Sequence, residues 1–337
     1  MVQYILLFLL GLVLLIKGGD WFVDGSVGIA RRFHLSEILI GATIVAIGTT
    51  LPEVMVSSIS AIQGESDISY GNAIGSIICN TALISAITIA IRPGKINRKS
   101  LRLPVIFFFS SAILYCATAY FAGEFTRPLG IGLLAIFVVY MILSVFAAKK
   151  DPIPTLPEEG ADKPSEPQEK QENDDPKKKK LDLIKEIVFL VLGAACIAVG
   201  AKLLVDNGIG ISNELGVPQK VIALIFVALG TSLPELVTAI TALAKGHSAL
   251  SLGNIIGANL VNIVLVSGLS ITLKPFAVPA ETVVNGMNTS LIVDIPLMLV
   301  VMLILTVPTL IRGKLARWQG ILLLSLYTAF CVFQFVI

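Results

Sequence analysis

Apolar residues along this chain come in long, almost unbroken runs separated by short polar breaks. Ten such runs can be read, at 3–28, 36–63, 68–91, 103–123, 128–148, 183–207, 217–244, 249–272, 290–311 and 316–336. An α-helix needs about 20 predominantly apolar residues to cross a hydrocarbon core about 30 Å thick. A chain segment in lipid must satisfy its own backbone hydrogen bonds, so only helices and closed barrels can span. The runs lack the in–out alternation of barrel strands. The pattern therefore predicts an all-α polytopic membrane protein with about ten transmembrane helices. The first run opens without a basic start or a small-residue cleavage site, so it is read as a membrane helix rather than a removable signal.

One stretch, 149–182, breaks the rhythm. It holds Pro152, Pro154, Pro157, Pro164, Pro167 and Pro176 among acids and lysines, with almost nothing apolar. It cannot bury a core and reads as a flexible linker. The chain thus divides into 1–148, the linker 149–182, and 183–337, with five predicted helices on each side. The Lys177–Lys180 run beside a membrane helix serves as a topology anchor or touches anionic lipid heads.

Composition agrees. The 337 residues are 55% hydrophobic and only 14% charged, against about 25% charged in soluble domains. The net charge of +2 offers no basic stripe for a nucleic acid. Arg31, Arg32, Arg92, Lys95, Arg98, Lys99, the linker, Arg312, Lys314 and Arg317 all fall on one side when ten helices are threaded. That side is expected to be cytoplasmic, with both termini outside and the protein in the cell membrane. Cys79, Cys116, Cys196 and Cys331 are scattered in apolar runs and read as packed hydrophobes. His34 and His247 are too few and too far apart for a histidine metal site.

The two halves repeat. Val-Ala-Ile-Gly-Thr-Thr-Leu-Pro-Glu at 45–53 matches Val-Ala-Leu-Gly-Thr-Ser-Leu-Pro-Glu at 227–235, an offset of 235 − 53 = 182. At the same offset Gly-Asn-Ala-Ile-Gly-Ser-Ile-Ile-Cys-Asn (71–80) matches Gly-Asn-Ile-Ile-Gly-Ala-Asn-Leu-Val-Asn (253–262). Matched Gly, Pro, Glu and Asn are not what chance similarity between apolar helices gives. A five-helix unit crosses the membrane an odd number of times, so its second copy enters inverted. Inverted repeats characterise alternating-access transporters, with the substrate near the midplane where the repeats meet.

Glu53 and Glu235 lie well inside apolar runs, where a carboxylate costs about 2.5–3.5 kcal/mol. No lysine or arginine lies deep in any run to neutralise them, and a bound cation is the economical answer. Pro52 and Pro234 lack an N–H, so the carbonyls of Gly48 and Gly230 lose their helical partners. Thr49, Thr50, Thr231 and Ser232 place hydroxyls at the same breaks. Calcium takes 6–8 oxygens, carboxylates and carbonyls among them. Asn80 and Asn262 follow the glutamates by 27 residues in both copies (80 − 53, 262 − 235), and each amide can ligate a cation or bond a carboxylate. Gly71, Gly75, Gly253 and Gly257 let the motif helices approach. Two ionised glutamates give −2, which one Ca²⁺ neutralises and one Na⁺ does not. Protons could neutralise the pair as well, so proton coupling stays open. Asp20, Asp24, Asp206 and Asp294 lie nearer helix ends and read as interface or access-path residues.

These paired segments resemble the two alpha-repeats of the cation/calcium antiporter superfamily, and within it the sodium/calcium exchangers of prokaryotic type. The resemblance covers essentially all of the membrane portion. It implies ten helices with ions held by the second, third, seventh and eighth. It implies Glu53 and Glu235 as shared calcium and sodium ligands, with the carbonyls of Thr49 and Thr231 completing the calcium site. The carbonyls of Ala46 and Ala228 and the hydroxyls of Ser76 and Ser232 would serve sodium, and Asn80 would line the centre. Where prokaryotic relatives and potassium-dependent exchangers often carry aspartate, this chain has Asn262, which points away from potassium dependence. Ala258 replaces a serine common in the family and removes a hydroxyl from the outer sodium site. The linker is too short for calcium-sensing domains.

The expectation is a Na⁺/Ca²⁺ antiporter, not an enzyme, that works as a monomer, with Ca²⁺ and Na⁺ as cargo and no cofactor. A Ca²⁺/H⁺ antiporter is the alternative. A cation channel ranks below both, since a channel normally builds its pore from several chains.

Overall fold

A computed structural model describes residues 2–33, 35–94, 96–150, 176–214, 230–279, 283–284 and 287–336. In chain order the helices are α1 (Val2–Arg32), α2 (Glu37–Thr49), α3 (Leu51–Gln63), α4 (Ser66–Ile91), α5 (Arg98–Phe121) and α6 (Arg127–Lys150). After the linker come α7 (Pro176–Glu214), α8 (Leu233–Ala244), α9 (Ser248–Leu273), α10 (Ser290–Arg312) and α11 (Arg317–Val336). Two-residue strands β1 (Glu124–Phe125) and β2 (Phe276–Ala277) pair antiparallel, as do β3 (Val283–Val284) and β4 (Met287–Asn288). Seven described helices are long and apolar enough to span a membrane, and α2 with α3, bent by 47° at their junction, make an eighth. Most of the predicted runs coincide with these helices. The first half of the run 217–244 lies outside the described residues.

The sequence repeat is also a repeat of local conformation. Thr50 (φ −84°, ψ 0°) breaks the α2–α3 span, and Ser232 (φ −90°, ψ 4°) precedes α8 in the same conformation. Pro52 and Pro234 follow within the first helical turn, where proline's missing N–H costs nothing. Gly64 ends α3 at φ 94° and Gly246 follows α8 at φ 87°, left-handed turns that favour glycine. Each reverses the chain into the next helix, starting at Ser66 or Ser248. Both of those helices widen into a π-turn, at Asn80–Ile84 and at Asn262–Ser267.

Burial ranks the helices. The most apolar stretches of α4 and α9 are 72% and 83% buried, whereas those of α1 and α7 are 22% and 17% buried. The motif helices are therefore central, and the outer helices expose apolar side chains such as Leu6, Ile113, Phe146 and Leu181. On α9, Gly253 and Gly257 let α2 ride directly on its backbone. A Cβ at Gly253 would lie 2.4 Å from the Ile38 carbonyl oxygen, and one at Gly257 would lie 2.4 Å from Ala42 Cα. No described residue comes within 4 Å of a Cβ at the matching Gly71 and Gly75, and most of 219–231, the segment equivalent to α2 at offset 182, lies outside the described residues.

The loops sort to two ends. At one, Arg32 pairs with Glu186 (3.0 Å), His247 Nδ1 with Glu37 (2.8 Å), and Lys245 with Asp24 (2.7 Å) and Asp20 (3.4 Å). Ile96 N–H donates to the Gly313 carbonyl and Leu315 N–H to that of Gly94 at the same end. At the other, β1 pairs with β2 and Val278 N–H donates to the Gly123 carbonyl (2.9 Å).

Candidate cation-binding site

The two proline breaks deliver the acidic residues to the centre of the bundle. Glu53 and Glu235 are both fully buried, each in the first turn of the helix after its break. Thr50 Oγ1 donates to Glu235 Oε1 at 3.1 Å, so the first motif reaches directly into the second. Thr49 shares its hydroxyl between the Ala46 carbonyl (3.3 Å) and Asn254 Oδ1 (3.2 Å). Asn72 Nδ2 donates to the Glu53 carbonyl (3.2 Å) and to Ser57 Oγ (2.8 Å).

α3 packs against the π-turn that begins at Asn262, and α8 against the π-turn that begins at Asn80. Each glutamate helix thus faces an asparagine from the other repeat. Asn80 and Asn262 are fully buried. π-turns are rare and recur at functional sites, because the extra residue spoils the regular ladder.

The polar atoms left without a protein partner define the site. Both Glu53 oxygens, Glu235 Oε2, Ser232 Oγ, and both amide atoms of Asn80 and Asn262 are buried and find no hydrogen-bond partner among the described residues. A buried carboxylate without donors is costly and normally paired or metal-bound, and more than nine-tenths of buried polar groups find partners. Their clustering around two carboxylates marks a place for a positively charged guest. The donors are oxygens, and among the described residues no group of three or more His, Cys, Asp or Glu exists. Such a set suits hard cations such as Ca²⁺ and Na⁺ rather than thiolate- or imidazole-seeking metals.

The other residues named from the sequence divide. Thr49, Thr50, Ser76 and Ser232 are buried, and Thr231 half-buried, in the same segments. The Ala46 carbonyl already accepts from Thr49 Oγ1 and from Thr50 N–H (3.0 Å), so both of its lone pairs are occupied in this state. Ala228 lies outside the described residues. Asp20 and Asp24 hold Lys245 at one end of the bundle, and Asp294 accepts from Gln334 away from the centre (3.3 Å). Sequence reasoning missed Asn72 and Asn254, although both stand in the repeated Gly-Asn-x-Ile-Gly segment. Their duplication at offset 182 was the available signal.

Fold and site together define a multi-pass membrane protein with a buried, acidic, oxygen-lined centre. The sequence profile of the sodium/calcium exchanger protein family matches residues 3–146 and 185–336, and the chain belongs to that family. It is 33% identical to a sodium/calcium exchanger of Methanosarcina acetivorans, covering 98% of each chain. It is 34% identical to a putative antiporter of Alkalimonas amylolytica, covering 98% of this chain and 97% of the other. The fold is similar to solved structures of the sodium-calcium exchanger NCX_Mj. One of these, soaked with Na⁺ and Sr²⁺, matches at a TM-score of 0.77 and 30% identity over 97% of both chains. Another, soaked with Na⁺ and Ca²⁺, matches at a TM-score of 0.75 and 32% identity.

Proposed function

We propose that this chain is a secondary-active antiporter that exchanges Na⁺ for Ca²⁺ by alternating access. The observation that carries the reading is the pair of fully buried glutamates, three of whose four oxygens find no partner among the described residues. With both ionised the empty site carries −2, and Ca²⁺ alone or several Na⁺ together neutralise it. A charged empty site is costly to move across the low-dielectric core and a filled one less so, and that difference couples the two ions. Glu53 and Glu235 are the shared ligands. The carbonyls of Thr49 and Thr231 complete the calcium site, and Ser76, Ser232, Asn80 and Asn262 add oxygens. The family and the relative named a sodium/calcium exchanger support this reading.

Ten helices in two inverted five-helix repeats is the architecture that goes with it. The conformations matched at offset 182 support the repeat. The inversion is supported by where equivalent loops sit: Lys274 Nζ lies 3.1 Å from the Cβ position of Gly64 at one end of the bundle, while Lys245 and His247, beside Gly246, pair at the other. The end rich in arginine is assigned to the cytoplasm together with 149–182, leaving both termini outside. The transport unit is one chain.

⁴⁵Ca²⁺ uptake into sodium-loaded proteoliposomes tests the reading. Uptake driven by an outward Na⁺ gradient, and not by a proton gradient, is the expected result. Uptake driven only by protons would overturn it in favour of a Ca²⁺/H⁺ antiporter, and flux without any counter-ion in favour of a channel.

A further inference from the structure

The sequence repeat is broken close to the site in a complementary way. Asn259 of α9 has Ile77 as its counterpart at offset 182, and Thr81 of α4 has Ile263 (259 − 77 and 263 − 81). Ile77 and Ile263 are fully buried in the apolar core. Asn259 and Thr81 are also fully buried, and they meet: Asn259 Nδ2 donates to Thr81 Oγ1 at 2.7 Å. The Met302 thioether of α10 closes the group, 3.4 Å from Thr81 Oγ1 and 3.2 Å from Asn259 Nδ2. Of the two pairs of positions related by the offset, one is thus polar and bonded and the other apolar.

The position of this group gives it a role. Thr81 follows Asn80 directly, and both open the π-turn Asn80–Ile84. In a π-turn the regular ladder no longer fixes how the first side chains are aimed. Asn259 lies one turn before Asn262 on α9, so the bond links the helices that carry the two central asparagines. The Ser85 hydroxyl donates to the Thr81 carbonyl and Ser267 Oγ to the Asn262 carbonyl (3.0 Å), so both π-turns share that backbone support. Only Asn80 has a neighbour whose side chain is tied across the repeat, because Ile263 beside Asn262 has no polar atom.

We infer that Asn259 is a positioning residue for the cation site, holding Thr81 and through it the aim of Asn80, so that the two central asparagines are held unequally. The inference rests on the exchange reading above.

The test is Na⁺-gradient-driven ⁴⁵Ca²⁺ uptake by the full chain in proteoliposomes, for wild type, Thr81→Val, Thr81→Ser, Asn259→Ala and the Thr81→Val/Asn259→Ala double variant. Thr81→Val keeps the shape and removes the acceptor, and Thr81→Ser keeps the acceptor. Thr81→Val and Asn259→Ala should each raise the KM for Ca²⁺ by about tenfold, the size of one lost bond in a buried network, with turnover within about twofold. Thr81→Ser should stay near wild type, and the double variant should be no worse than either single one. Wild-type KM in Thr81→Val overturns the inference, as does a Thr81→Ser that behaves like Thr81→Val, or a loss confined to turnover. The Ca²⁺-induced rise in melting temperature in detergent is a second readout. It should be smaller in Thr81→Val at a fixed Ca²⁺ concentration, and an unchanged rise refutes the idea even in a variant that does not transport. Absence of Na⁺-driven uptake in wild type would instead sink the exchange reading, with the melting experiment still deciding the role of Asn259.

Discussion

Glu53→Gln replaces one of two buried carboxylates with a neutral group of the same shape, and it should act in opposite directions on transport and on the empty protein. Both Glu53 oxygens lack a protein donor, whereas Glu235 keeps one bond from Thr50. Two carboxylate oxygens on one Ca²⁺, each at about 2.4 Å, are about 5 Å apart at most. Unit charges at about 5 Å and an effective dielectric constant of about 20 repel by about 3 kcal/mol. Glu53→Gln removes that repulsion, so the ion-free protein should melt higher than wild type in excess chelator. Binding moves the other way. Removing one partner of a buried ion pair costs about 3–5 kcal/mol, which weakens Ca²⁺ by about two to three and a half orders of magnitude. ⁴⁵Ca²⁺ exchange in proteoliposomes and thermal unfolding in chelator with and without added Ca²⁺ read the two effects. Exchange within about tenfold of wild type, or a lower melting temperature in chelator with Ca²⁺ protection intact, would refute the site and its charge.

Further outcomes follow from the same geometry. Thr50→Val removes a hydrogen bond to the Glu235 carboxylate and should raise the KM for Ca²⁺ by about tenfold or more, since bonds to charged groups contribute about 1.5–3 kcal/mol. Ser232→Ala, at the matching position but with an unpaired hydroxyl, should raise it less. An equal loss in both would contradict the asymmetry. Gly257→Ala drives a Cβ to 2.4 Å from Ala42 Cα and should cost about 1–3 kcal/mol of stability, read as a lower melting temperature. Asn262→Asp adds a third buried carboxylate against α3. It should lower the melting temperature in chelator and raise the number of Na⁺ needed per exchange, measured as a steeper Na⁺ dependence of Ca²⁺ uptake.

The chemistry-bearing residues could be read from the sequence because each violates what lipid demands. A glutamate in an apolar run and a proline beside it are conspicuous against leucine and valine, and a constant offset of 182 doubles the signal. The conformations of Thr50 and Ser232 follow from those prolines, and the left-handed turns from Gly64 and Gly246. The π-turns could not be read. One extra residue in a helix that is apolar all round leaves no mark on a 3.6-residue period, since there is no polar face to slip. The partners of the hydroxyls were equally hidden. Thr49 and Thr50 looked alike as members of one motif, yet Thr50 donates to the opposite glutamate while Thr49 turns to Asn254 and to the Ala46 carbonyl. Choosing between those outcomes requires the packing of α2 on α9, which no local pattern encodes.

In the alternating-access reading proposed above, that unequal pairing is what an inverted repeat requires. Two copies of one motif can be identical in sequence and still not be in the same state at the same moment, because a site open to one side is closed to the other. Any single conformation therefore splits the pairs. Thr50 is bonded to Glu235, while Ser232 Oγ finds no partner among the described residues. On that reading the difference can exchange between the halves, since threonine and serine both carry a hydroxyl. The Asn259–Thr81 bond cannot exchange, because Ile77 and Ile263 stand at the matching positions. On that reading it is a fixed bias, as is the pairing of Ser76 with Ala258, whereas the Thr50–Ser232 difference is reversible. Replacing Thr81 should therefore change ion affinity measured from both sides of the membrane, whereas replacing Thr50 should change the two sides unequally.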